Sequence, residues 1–138
     1  MIQTHSQITL TPKPINLDEV VKQVTNHKGG IICSYAGKSE VMANVHSSEE
    51  AQIAQATIAR QELDDVLALV MDTFDVWQVS IHYRIGSIHP GDIQFGIAVL
   101  GKTSEVSTST TKFLARKLSG KYESIEDEIR IQNNIRKQ

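Results

Sequence analysis

The sequence predicts an α+β fold, a mostly antiparallel sheet with helices packed on one face. Three observations carry this. In "VSIHYRIGSIHPGDIQFGIAV", Val79, Ile81, Tyr83 and Ile85 alternate with polar or small residues, and Ile93, Phe95, Ile97 and Val99 repeat the alternation. Two half-buried strands follow from that period of two, and the two glycines and proline between them force a reversal. Two long stretches, near 51–74 and 104–120, carry helical spacing instead. The resulting order, β-α-β-(loop)-α-β-β-α-tail, suits one domain over residues 1–138.

The first strand is "QITLT", where Ile8 and Leu10 alternate with threonines before "PKP" closes it. Leu17, Val20, Val21 and Val24 then form the stripe of an amphipathic helix. Asn16 is its N-cap, Glu19 completes a capping-box pattern, and Gly29 or Gly30 supplies its stop. "IICSYA" is nearly all apolar and is expected at the centre of the sheet. "GKSEVMANVHSSEE" is a loop or a poorly formed edge element. In the next helix Ala59, Leu63, Val66, Leu67, Val70 and Phe74 share a face, though Ala51 and Ile53 at its start also suit a strand. After the hairpin, the last helix turns Val106, Phe113, Leu114 and Leu118 inward and stops at Gly120. In the tail, Ile125, Ile129, Ile131 and Ile135 fit neither period cleanly.

Composition narrows the function. A net charge of −2 with 22% charged residues and no basic stripe argues against nucleic acid as a partner. No apolar run reaches the ~18–20 residues that span a bilayer. The start "MIQTHSQITLTPKP" has no basic block followed by an apolar one, so no signal peptide is expected. The single cysteine, Cys33, has no internal disulfide partner and is expected to be a buried, inert thiol. Together these features predict a soluble, cytoplasmic protein that needs no cofactor.

Few residue groups suggest chemistry. The five histidines, His5, His27, His46, His82 and His89, show no metal-ligand spacing, so no metal site is expected. Asp64-Asp65 and Glu126-Asp127-Glu128 read as solvated carboxylates. Lys102, Thr103 and Ser104, at a strand end and helix start, offer free N–H groups, two hydroxyls and an ammonium to an anion. Lys112, Arg116, Lys117 and Lys121 add positive charge along the helix and its exit. Ordinary capping, with cations placed against the helix C-terminal dipole, is the simpler account of the same residues.

The hairpin, with Tyr83-Arg84-Ile85-Gly86 and Gly91-Asp92, resembles that of the molybdopterin synthase large (catalytic) subunit family. There a His-Arg-Ile/Val-Gly strand end precedes a short turn and Gly-Asp. "GGIICSYAG" is similar to the family's Gly-Ala-Ile-Val-x-Phe-x-Gly strand, and "ARQELDDVLALVMDTF" falls on its long helix. The resemblance covers roughly residues 8 to 128. It implies an α/β-hammerhead fold and a homodimer. It also implies a small sulfur-carrier partner whose C-terminal Gly-Gly thiocarboxylate enters a basic pocket. Sulfur then passes to a cyclic pterin phosphate, in molybdenum cofactor biosynthesis.

The chain departs from the family pattern where that chemistry lives. The family's Pro-His-Arg turn falls on Lys102-Thr103-Ser104, and its arginine after the first apolar strand falls on Glu40, with Lys38 nearby. One lysine falls on Ser119, and the second cationic motif falls on Ile125-Glu126-Asp127-Glu128. Two readings follow. In the first, sulfur transfer persists, with Lys117 or Lys121 as the catalytic amine and Lys38, Lys102, Thr103, Ser104, Lys112 and Arg116 holding the substrate. In the second, the chain is a catalytically degenerate dimer that binds a sulfur carrier or an intact homologue.

Overall fold

The computed structural model of the chain describes residues 6–24, 28–40, 42 and 48–119. The elements are β1 (Gln7–Thr11), α1 (Leu17–Lys22), β2 (Ile31–Lys38), α2 (Glu49–Thr73), β3 (Val76–Arg84), β4 (Ile93–Gly101) and α3 (Ser104–Leu118). The described strands form one sheet in the order β1-β3-β4-β2. The β3–β4 and β2–β4 pairs are antiparallel, and β1 lies parallel to β3 with Gln7 opposite Ser80.

The expected hairpin is the spine of this sheet. Val79, Ile81, Ile97 and Val99 point to one face and are fully buried against α2 and α3. Leu63, Val66, Val70 and Phe74 supply the α2 side of that core; Phe113 and Leu114 supply the α3 side. The rings of Phe74 and Phe113 meet with centroids 5.4 Å apart. Removing such a ring costs about 3–5 kcal/mol in a close-packed interior.

The expectation of helices on one face holds for the two long ones and is corrected for α1. Val20 and Val24 pack with Ile15, Ala98 and Leu100 in a second, smaller core on the opposite face. There Gly96 is needed for close approach: a Cβ would press on Val20, Ile15 and Leu17. Asn16 caps α1 as expected, its Oδ1 accepting from Asp18 N at 2.9 Å. The described helix ends at Lys22, well before Gly29.

The hairpin strands are therefore buried on both faces, not half-buried. Ser80 and His82, which read as outward-facing, are held under α1 by Gln23. Its Oε1 accepts from the Ser80 hydroxyl at 2.6 Å and from His82 Nε2 at 3.1 Å.

Among the described strands, the apolar β2 stands at the edge of the sheet, not at the centre. Ile31, Ile32 and Tyr35 are 45%, 38% and 46% exposed, and Cys33 is half-exposed rather than buried. An all-apolar run of this length fits either full burial or an edge with an exposed apolar surface, and periodicity does not separate them. The ambiguous start of α2 is helical, with Ser48 Oγ accepting from Ala51 N at 3.1 Å. On α3, Thr110 and Thr111 are buried because each hydroxyl donates to a carbonyl one turn back, to Val106 O at 2.8 Å and Ser107 O at 2.7 Å.

Candidate functional site

A cleft of about 660 Å³ opens where the end of β2, the start of β4 and the end of α3 converge. Gly37 stands opposite Phe95, but Lys38 stands opposite Ile93, so Gln94 is an extra residue in β4. Such a bulge bends a strand and re-aims side chains. Past it, β2 is tied to the hairpin turn: Ser39 N donates to Asp92 O and Gly91 N donates to Ser39 O, both at 2.8 Å. The turn closes on itself, with His89 N donating to Asp92 Oδ2 at 2.9 Å.

The floor of the cleft is aromatic. Tyr35 and Phe95 stack at 6.1 Å with their planes 18° apart. Lys38, Ser39 and Glu40 form one wall; Ala115, Arg116 and Ser119 form the other. Arg116 Nη1 is buried with no hydrogen-bond partner among the described residues. Ser119 donates its hydroxyl to Arg116 O at 3.0 Å. Two cations and hydroxyls over stacked rings suit a flat, anionic ligand. The volume falls in the range of small-molecule sites, roughly 300–1,000 Å³.

The structure gathers some sequence-predicted site residues and separates others. Lys38 and Arg116 share the cleft, with Ser119 beside them. Lys112 is one turn before Arg116 but exposed and outside the cleft walls. Lys117 lines a different cavity, with Ala59, Glu62, Leu63, Val66, Tyr83 and Leu118. Lys121 and Glu126 lie outside the described residues. Lys102, Thr103 and Ser104 sit at the far end of α3, roughly 20 Å from Arg116 at 1.5 Å per residue. A single cradle built from Lys102 and Arg116 of one chain is not formed. Thr103 serves as the α3 cap, its Oγ1 accepting from Val106 N at 3.2 Å.

Tyr35, Gln94 and Phe95 were missed as site residues. Tyr35 had one signal, its place at the family's aromatic position two residues before a glycine. Gln94 had none, because a bulge is not visible in a period-two pattern. Its amide lies 3.4 Å from the Tyr83 hydroxyl. Burial raises the Tyr83 phenol above its usual value; the Gln94 contact opposes that rise and the Glu62 carboxylate adds to it.

Other groups are accounted for locally. A shallow groove between β1 and α2 carries Asp64 and Asp65, whose charge suits no anion, and Asp64 pairs with Arg60 at 3.5 Å. Among the described residues no group of three or more His, Cys, Asp or Glu is placed to hold a metal. No helix among them is long and apolar enough to cross a membrane.

The MoaE protein family model matches residues 10–118, most of the chain. The chain belongs to the MoaE family. Solved structures agree at the level of fold. The molybdopterin biosynthesis MoaE protein of Burkholderia ambifaria MC40-6 superposes with a TM-score of 0.61 at 16% identity, covering 82% of this chain and 76% of that one. The molybdopterin synthase of Staphylococcus aureus gives 0.52 at 16% identity, with 86% and 85% covered. A chain in the complex of subunits 1 and 2 of the molybdopterin-converting factor of Helicobacter pylori 26695 gives 0.54 at 11% identity, with 79% and 75% covered. No curated protein matches the chain. The MoaE frame thus includes the hairpin, the β2 end and α3, the three elements that build the cleft.

Proposed function

We propose that this chain acts in molybdenum cofactor biosynthesis, with the cleft between β2, β4 and α3 as the seat of a molybdopterin-synthase-like activity. One observation carries the reading. Ser119, the position where the family resemblance expects a lysine, lines that cleft beside Arg116 and opposite Lys38. The ligand is a pterin phosphate, its ring over Tyr35 and Phe95 and its phosphate against Arg116 and Lys38. The partner is a small sulfur-carrier subunit with a C-terminal Gly-Gly thiocarboxylate; the Helicobacter pylori complex of two subunits supports a partner of that kind.

The chain retains binding and loses most of the rate. Lys38 is the one amine on the described walls of the cleft, and Lys117 lines a separate cavity. Losing a transition-state cation costs about 3 kcal/mol, or roughly a hundredfold in rate. A homodimer is part of the proposal, and the exposed apolar β2 edge is the surface that fits it.

The test is molybdopterin formation from the cyclic pterin precursor with a thiocarboxylated small subunit. Wild-type turnover should fall at least about a hundredfold below that of an intact family member, and Ser119→Lys/Glu126→Lys should raise it. Wild-type turnover equal to the intact enzyme overturns the degenerate-site reading. Failure of both proteins to bind the small subunit overturns the assignment to this pathway.

A further inference from the structure

Three charged side chains line the cleft between β2, β4 and α3, and they do not neutralise one another. Lys38 and Glu40 stand on the β2 wall and Arg116 on the α3 wall. Among the described residues no ion pair joins the Glu40 carboxylate to either cation. Arg116 keeps a buried Nη1 with no hydrogen-bond partner among them, and Glu40 is exposed. The cleft thus presents both signs of charge to a ligand.

The backbone fixes where Glu40 stands. Its neighbour Ser39 is buried. The Ser39 N–H donates to Asp92 O and its carbonyl accepts from Gly91 N, so the hairpin turn holds it on both sides. Lys38 and Glu40 leave the wall on either side of this anchored residue. Their Cα atoms are no more than about 7 Å apart, the reach of two residues. An ammonium and a carboxylate held this close without pairing suit two different groups of one ligand.

Against a phosphate alone Glu40 is unfavourable, because like charges repel across so small a site. The sign changes for a ligand that also carries two N–H donors side by side. A carboxylate has two acceptor oxygens and takes such an edge bidentately, as it takes a guanidinium. The amino-oxo edge of a pterin is of this kind, a ring N–H next to an exocyclic amino group. A ring laid on the stacked Tyr35 and Phe95 keeps that edge in its own plane, turned toward a wall.

We infer that Glu40 is the specificity-determining residue of the cleft, accepting from this donor pair while Arg116 and Lys38 hold the phosphate. The inference rests on the pterin phosphate reading and adds to it the selection of one ring edge. It also gives chemical sense to a carboxylate where the family resemblance expects an arginine. Some attraction for phosphate is exchanged for discrimination between rings.

The test is calorimetric titration of the full chain with two probes. One is a phosphorylated pterin; the other is the matched phosphorylated lumazine, in which a carbonyl replaces the exocyclic amino group. Wild type should prefer the pterin at least about tenfold, the lower end for hydrogen bonds to a charged group, because Glu40 is open to water. Glu40→Gln should bind both probes with a preference below about threefold, since its amide both donates and accepts. Glu40→Arg should lose the preference and bind the lumazine more tightly than wild type does. A preference kept in Glu40→Gln, or an equal loss for both probes, overturns the inference. So does equal affinity of wild type for the two; if Arg116→Ala then weakens both, the pterin phosphate reading stands without it. Wild type binding neither probe overturns that reading and the inference together.

Discussion

Gly37 and Phe95 are register partners on β2 and β4, and the Phe95 ring occupies the space into which a Cβ on Gly37 would project. The aromatic floor of the cleft is thus laid against bare backbone. Because Phe95 also belongs to the main core, the cleft and the core share one side chain.

Gly37→Ala should therefore destabilise the fold by about 1–3 kcal/mol, the usual cost of overpacking a filled interior. Gly29, where a Cβ meets nothing within 4 Å, is the control: Gly29→Ala should change stability little. Urea denaturation of both variants checks the contrast. Equal midpoints would show that the ring moves aside freely.

Arg116→Ala should weaken binding of a phosphorylated pterin roughly ten- to a hundredfold, as expected for about 1.5–3 kcal/mol in a hydrogen bond to a charged group. Lys102→Glu, at the other end of α3, should leave the monomer's affinity unchanged. Calorimetric titration distinguishes the two sites. A larger effect from Lys102 than from Arg116 would move the anion site to the α3 cap, or show that a second protomer brings its cap to the cleft.

Stability should decline as pH falls below about 6.5. Burial under α1 holds the His82 imidazole below its usual value of 6.5, and the Glu19 carboxylate opposes this only in part. The folded protein therefore binds a proton at His82 less readily than the unfolded chain does. The stability present above 6.5 is lost as pH drops through the folded value. His82→Gln should flatten that dependence. Thermal midpoints at pH 7.5 and 5.0 check it, and an equal acid slope in the variant would assign the effect elsewhere.

The β2 edge should carry a dimer contact. Ile31 and Ile32 are exposed apolar residues on an eight-residue strand, and a charge on such an edge blocks strand-to-strand association. Light scattering should give a dimer mass for the wild type at tens of micromolar and a monomer mass for Ile32→Lys. A monomeric wild type would end the dimer proposal.

The alternation in β3 and β4 and the stripes on α2 and α3 determined by themselves which segments are strands and which are helices. Val79, Ile81, Ile97 and Val99 were legible because one face of each strand must leave water. The family, too, was legible, from Tyr83-Arg84-Ile85-Gly86, Gly91-Asp92 and "GGIICSYAG" in order and spacing. Three things were decided only by tertiary structure. "IICSYA" went to the edge because an apolar run does not encode how many neighbours it has. Ser80 and His82 went inside because Gln23, about sixty residues away in sequence, satisfies both. Among the cations, Lys38 and Arg116 meet in one cleft while Lys102 and Lys117 do not. The β4 bulge at Gln94 and the roughly 20 Å length of α3 set those positions. Side-chain chemistry is local and readable along the chain; which side chains share a cavity depends on strand register and helix length, which form only when the whole sheet assembles.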